Sequence, residues 1–119
     1  MVRIILKAMK KEQIKKLQNK IRKADRKTKS TATRLINKFI VLNHEHALDT
    51  EEKYGMSYGY HNLCAIEVVK EKIKILQRTQ AEIGYRGSAW YDIQDVMNEE
   101  RKVLKHLKLM LELYKETFE

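Results

Sequence analysis

The side chains in this chain best suited to chemistry are its lysines and arginines, and the chemistry is neutralisation of phosphate. Of 25 basic residues, 14 fall between Met1 and Leu42, where the only acids are Glu12 and Asp25. That segment carries +12, residues 43–119 carry −3, and the whole chain carries +9. Lys and Arg clustered on a helix displace the counterions of nucleic acid and give salt-dependent binding. The candidate contacts are Lys10, Lys11, Lys15, Lys16, Lys20, Arg22, Lys23, Arg26, Lys27, Lys29 and Arg34. Lysines outnumber arginines among them, which favours contact with the phosphate backbone over bidentate reading of bases. So basic a helix has few Glu-to-Lys pairs to offset its own repulsion, and an anionic partner therefore suits it. A solvated basic face and an acidic protein surface are the competing readings. A membrane surface is disfavoured, because the first helix is not rich in Trp or Phe.

Metal and catalytic chemistry find less support. His44, Glu45 and His46 are adjacent, and His61 and Cys64 stand three apart on one helix face. Zinc needs three or four convergent ligands, and a His-x-His pair on a helix sends its rings to different faces. There is no Cys-x-x-Cys, His-Glu-x-x-His or Glu-x-x-His pattern. No metal and no cofactor is expected. Nucleophile elbows, phosphate-binding glycine loops and paired catalytic carboxylates are missing as well, so the chain is not expected to be an enzyme. One spacing bears on catalysis. Arg101 and His106 lie five apart late in the chain. This resembles the Arg-x4–6-His signature of HEPN-type RNases, small helical bundles with that motif on a late helix. The resemblance implies RNA cleavage, with the His handling protons and the Arg phosphate charge. It covers two residues only, and the polar residue that usually follows the arginine is Lys102 here. An exposed basic helix face is the preferred reading of the pair.

A third group is aromatic. Residues 54–60 read Tyr-Gly-Met-Ser-Tyr-Gly-Tyr, the one clear long loop of the pattern. Tyr54, Tyr58 and Tyr60 are candidate partner-binding residues that stack on bases or fill a groove. Packing of these rings over the end of the bundle is the plainer alternative, and the favoured one.

The elements that position these groups are helices. The chain has no proline, and its four glycines fall in two pairs, Gly55 with Gly59 and Gly84 with Gly87. From Ser88 to Phe118, apolar residues recur at Trp90, Ile93, Met97, Leu104, Leu107, Leu111, Tyr114 and Phe118, with Glu100 the polar exception. Val96, Val103 and Met110 widen that stripe from a coiled-coil seam to a bundle face. A helix over His61–Ile83 keeps the same spacing, with Gln80 as its polar exception, and the short connection to Ser88 predicts an antiparallel hairpin. Partial exposure is the preferred account of Gln80 and Glu100. A second helix is expected over Thr31–Glu52 and a basic first helix over Lys10–Ala24, with Ile14, Leu17, Ile21 and Ala24 as its narrow apolar seam. The polar run Asp25–Thr33 offers Thr28, Ser30, Thr31 and Thr33 as caps, but neither Gly nor Pro forces a break, so one continuous helix is an alternative. Val2–Leu6 reads as an apolar lead-in.

The expected fold is therefore all-α: a three- to four-helix bundle with a long C-terminal antiparallel hairpin and a basic N-terminal helix. Residues 1–119 are expected to form one domain, with 1–27 as a basic segment that is either the outer helix or a mobile arm. The lone Cys64, read as a small core residue, and the lack of any long apolar run fit a soluble cytoplasmic protein. The expected function is that of a small accessory or regulatory protein that contacts nucleic acid, DNA or RNA, through the basic helix. The alternatives are a protein-binding inhibitor or adaptor of mobile-element type acting on a nucleic-acid enzyme, and the HEPN-like RNase. Leftover seam area on the long last helix gives a homodimer as a further expectation.

Overall fold

The computed structural model describes residues 2–50, 58–85 and 87–118, with side chains at 7–42, 59–85 and 87–117. Four helices account for nearly all of them: α1 (Val2–Lys23), α2 (Arg26–Thr50), α3 (Tyr58–Ile83) and α4 (Ser88–Phe118). Among the described residues there is no strand, and no helix is long and apolar enough to cross a membrane.

The boundary between α1 and α2 is set by Asp25, not by the serines and threonines further on. The Thr28 backbone N–H donates to Asp25 Oδ1 at 2.8 Å, and the Thr28 hydroxyl donates to Oδ2 at 2.9 Å. The Lys29 N–H donates to the Asp25 carbonyl at 3.1 Å, the first bond of α2. This is an aspartate N-cap, which satisfies one of the free donors at the start of a helix. The two helices are thus separate, α2 begins five residues earlier than expected, and the apolar lead-in at Val2 is already helical. Across the break, the Lys29 ammonium donates to the Arg22 carbonyl near the end of α1. A cation there suits the negative end of a helix.

Helices α3 and α4 form the expected hairpin. Gly84, at φ 75°, closes α3 by donating its N–H to the Gln80 carbonyl at 3.0 Å, and Gly87, at φ 93°, leads into α4. Both angles are left-handed, the conformation that favours glycine at helix ends. Gln80 is buried rather than partly exposed. Its Nε2 donates to Gln94 Oε1 at 2.9 Å and to the Trp90 carbonyl at 3.3 Å, so it ties the end of α3 to the start of α4. Glu100, by contrast, is half-buried as expected. At the hairpin's other end Gly59 lies under Tyr114. A Cβ at Gly59 would stand 3.0 Å from Tyr114 Cε1, so hydrogen is the only side chain that fits without moving the ring. Tyr58 and Tyr60 belong to the first turn of α3 instead of finishing a loop, while Tyr54 lies outside the described residues.

The core joins α2, α3 and α4 through Ala32, Ile36, Ala65, Ile66, Val69, Ile73, Val103 and Leu107. The stripe on α4 is rotated slightly from the expected seam: Val103 is buried and Val96 is about half exposed. Cys64 is half-buried, outside the core. Helix α1 packs on α4 alone among the described elements, and Leu17 is the one buried residue among its described side chains. The molecule measures 61 × 43 × 22 Å, and its thickness is that of two helices side by side, each about 10–12 Å across. Its radius of gyration is 18.2 Å, against about 13–14 Å for a compact domain of this length.

These environments predict a sharp contrast between two positions on one helix. Leu107 is 0% exposed and Val96 48%. Leu107→Ala is expected to cost about 2–5 kcal/mol in denaturant unfolding, and Val96→Ala to stay within about 0.5 kcal/mol. Equal destabilisation by the two would show that the buried face of α4 lies elsewhere.

Candidate functional site

The eleven predicted basic residues line α1 and the first half of α2. Lys10, Lys11, Lys15, Lys16, Lys20, Arg22, Lys23, Arg26, Lys27 and Arg34 are exposed, and Lys29 is half-buried through its bond to α1. Among the described residues, ion pairing consumes little of this charge. Lys27 Nζ stands 3.6 Å from Glu99, with both side chains largely in solvent, where such a pair contributes roughly 0–1 kcal/mol. The break at Asp25 divides these residues between two helices rather than one continuous rod.

Sequence reasoning missed the contribution of α4. Because α1 lies on α4, the α4 basic residues stand beside those of the elbow. Lys102, Lys105 and His106 share a groove of about 240 Å³ with Lys20, Lys23, Asp25 and Thr28. An adjoining groove of about 320 Å³ is lined by Arg101, Lys105 and Lys108, along with Glu112. A third, of about 520 Å³, runs along α2 between Arg26, Lys29 and Arg34. The signal was available: Arg101, Lys105 and Lys108 recur at the three-four spacing of one helix face. The spacing shows a shared face, and tertiary packing alone brings that face to α1.

Arg101 and His106 are not brought together. Five residues on a helix set them about 140° apart, at 3.6 residues per turn. Arg101 is exposed and lines one groove, while His106 is 4% exposed and lines another. His106 Nδ1 is buried without a hydrogen-bond partner. An orphaned polar atom of this kind costs about 1–3 kcal/mol. Burial, and next the charge of Lys29, lowers the His106 pKa from its ordinary 6.5, against the raising effect of Asp25. The Asp25 carboxyl is itself held below its ordinary value, chiefly by the Thr28 N–H and hydroxyl.

The candidate tyrosines divide. Tyr60 is exposed on the first turn of α3, and the side chains of Tyr54 and Tyr58 lie outside the described residues, as do those of His44 and His46. His61 and Asn62, just after Tyr60, are buried with side-chain nitrogen and oxygen atoms unpartnered. A different aromatic group stands at the hairpin tip. The Tyr85 and Trp90 rings are 4.3 Å apart, Trp90 and Tyr91 5.2 Å, and Tyr85 and Tyr91 6.0 Å. Tyr85 is 71% exposed and Tyr91 53%. A hydrogen bond with Tyr85, followed by the charge of that phenol, raises the Tyr91 pKa above the ordinary value. Periodicity puts Trp90 on the apolar seam, and nothing in periodicity separates a seam residue from one that supports an exposed tip.

A buried His whose folded pKa is depressed contributes stability in its neutral form. That contribution is complete above the ordinary value of 6.5 and is lost as pH falls below it, because the unfolded chain then binds the proton more readily. The melting temperature is expected to drop on acidification through this range, and His106→Gln to flatten the drop; an identical slope in the variant would remove His106 as its source. No protein-family model matches the chain, and neither a curated protein nor a solved structure matches it.

Proposed function

We propose that this chain is a non-enzymatic accessory or regulatory protein that binds nucleic acid through backbone phosphates. The supporting observation is the basic surface of α1, whose described side chains include eight basic residues against Glu12 and which is flanked by Lys102 and Lys105 of α4. At 1.5 Å per residue, the 22 residues of α1 extend for about 33 Å. A duplex of that length carries roughly 20 phosphates. Ammonium groups on flexible stems follow such a backbone without reading its sequence. The apolar side of α1 is occupied by α4, which leaves the charged side outward.

A second reading is a protein-binding inhibitor or adaptor that acts on a nucleic-acid enzyme. The exposed rings of Tyr85 and Tyr91 favour it, since aromatic residues are enriched at protein interfaces and carry much of their binding energy.

Titration of labelled single- and double-stranded DNA and RNA at several salt concentrations tests the first reading. Neutralising Lys15, Lys16 and Lys20 to Gln is expected to weaken binding and to reduce the log–log salt slope on duplex by about 0.9 for each phosphate left without its lysine. The melting temperature should hold or rise, because like-charge repulsion is relieved. Native-like binding by this variant, or affinity indifferent to salt, would overturn the phosphate reading. For the second reading, a stoichiometric protein partner should be retained by the lysine variant and released by Tyr85→Ser/Tyr91→Ser. Retention by the tyrosine variant would exclude the tip as its binding surface.

A further inference from the structure

The groove at the α1–α2 elbow is lined from three helices, whereas the other two basic grooves are lined by α4 alone and by α2 alone. Lysines on an exposed helix face point to solvent singly. Here Lys20 and Lys23 from α1 and Lys102 and Lys105 from α4 surround one concavity, and Asp25 and Thr28 at the start of α2 supply its wall. With Asp25 ionised and His106 neutral, the lining carries three net positive charges. Both carboxylate oxygens of Asp25 are already engaged by Thr28. The groove's volume of about 240 Å³ is many times the roughly 10–15 Å³ that a single water needs. That is room for a tetrahedral oxyanion with some of its hydration.

A histidine stands at the same groove. His106 lines it and is only 4% exposed; its Nδ1 is buried out of reach of solvent without a partner in the protein, which leaves Nε2 as the ring nitrogen available to a bound group. We propose that this groove is a phosphate subsite in which Lys20, Lys23, Lys102 and Lys105 surround one phosphate group and the His106 imidazole donates a hydrogen bond to it. The phosphate belongs either to a nucleic-acid backbone or to a free phosphate ion. The proposal deepens the nucleic-acid reading, on which the backbone source rests. Four compact ammonium charges suit a phosphate oxygen cluster, and a neutral imidazole carries one N–H to give. The groups facing His106 are Lys29 from α2, Asp25 at its cap, the two lysines of α1, and the neighbouring lysines of α4. Their net positive charge disfavours an imidazolium in the empty groove, and a bound phosphate reverses that balance.

The test follows the histidine imidazole nitrogens by NMR in the full 15N-labelled chain. One arm adds inorganic phosphate, and another adds a short oligonucleotide without terminal phosphates, whose binding is measured separately by anisotropy. The native His106 signals are expected to move and saturate. In Lys102→Gln/Lys105→Gln the movement should vanish and the salt slope for the oligonucleotide fall by about 0.9 for each of the two lysines. Both lysines are exposed, so this variant should melt as the native chain does. Saturation by inorganic phosphate assigns a free-ion site, and saturation by the oligonucleotide alone assigns a backbone site; either supports the subsite. An oligonucleotide that binds while His106 stays silent, or that moves His106 equally in the double variant, would overturn the subsite and leave the nucleic-acid reading standing. Phosphate that moves His106 when no oligonucleotide binds would keep the subsite and remove the nucleic-acid reading. No movement in either arm overturns the subsite.

Discussion

One carboxylate decides how this chain is laid out. Without the Asp25 cap, residues 2–50 would have no glycine or proline to stop a single helix running through them. By accepting two hydrogen bonds from Thr28, Asp25 favours termination over continuation at that point. The turn sends α2 into the core with α3 and α4 and leaves α1 lying on α4. Every neighbour relation among the basic residues follows from that turn. It places lysines of the first helix opposite lysines of the last, an arrangement that brings repulsion and needs a buried seam, here Leu17, to hold it.

The hairpin is held by opposite means at its two ends. At the tip, Gln80 carries polar bonds across to Gln94 and the Trp90 carbonyl, so the register is fixed by partners that a slipped helix would forfeit. At the base, Gly59 removes a side chain so that Tyr114 can approach. Between them lies an apolar core in which Val69 and Leu107 are almost wholly withdrawn from water. Polar specificity, steric permission and burial thus act on the same pair of helices at different heights.

What the sequence disclosed was periodicity and charge. The last helix, Ser88–Phe118, was legible as an element, since three-four spacing over 31 positions has no strand alternative. The hairpin was legible from Gly84 and Gly87. The cap was not, because Thr28, Ser30, Thr31 and Thr33 are as good by type as Asp25, and only geometry shows which oxygen meets an open N–H. The basic residues of α1 and α2 were legible as a charge count, and the α4 share was not, because proximity across helices leaves no trace in a single chain. Gln80 escaped for a related reason: a polar residue on a seam is either exposed or satisfied, and its partner Gln94 lies 14 residues away.

Among the described elements, α1 has one neighbour, while α2, α3 and α4 each have at least two. Only Leu17 is buried among the described side chains of α1, and a helix with so little burial is drawn from the low-stability end of a fold. Its self-repulsion adds to that tendency, and counterions subtract from it. Docking of α1 is therefore linked to the ionic surroundings: any polyanion that prefers the docked form pulls the helix onto α4 by mass action. In that sense the first helix behaves as a latch whose spring is electrostatic, set by the solution as much as by the fold.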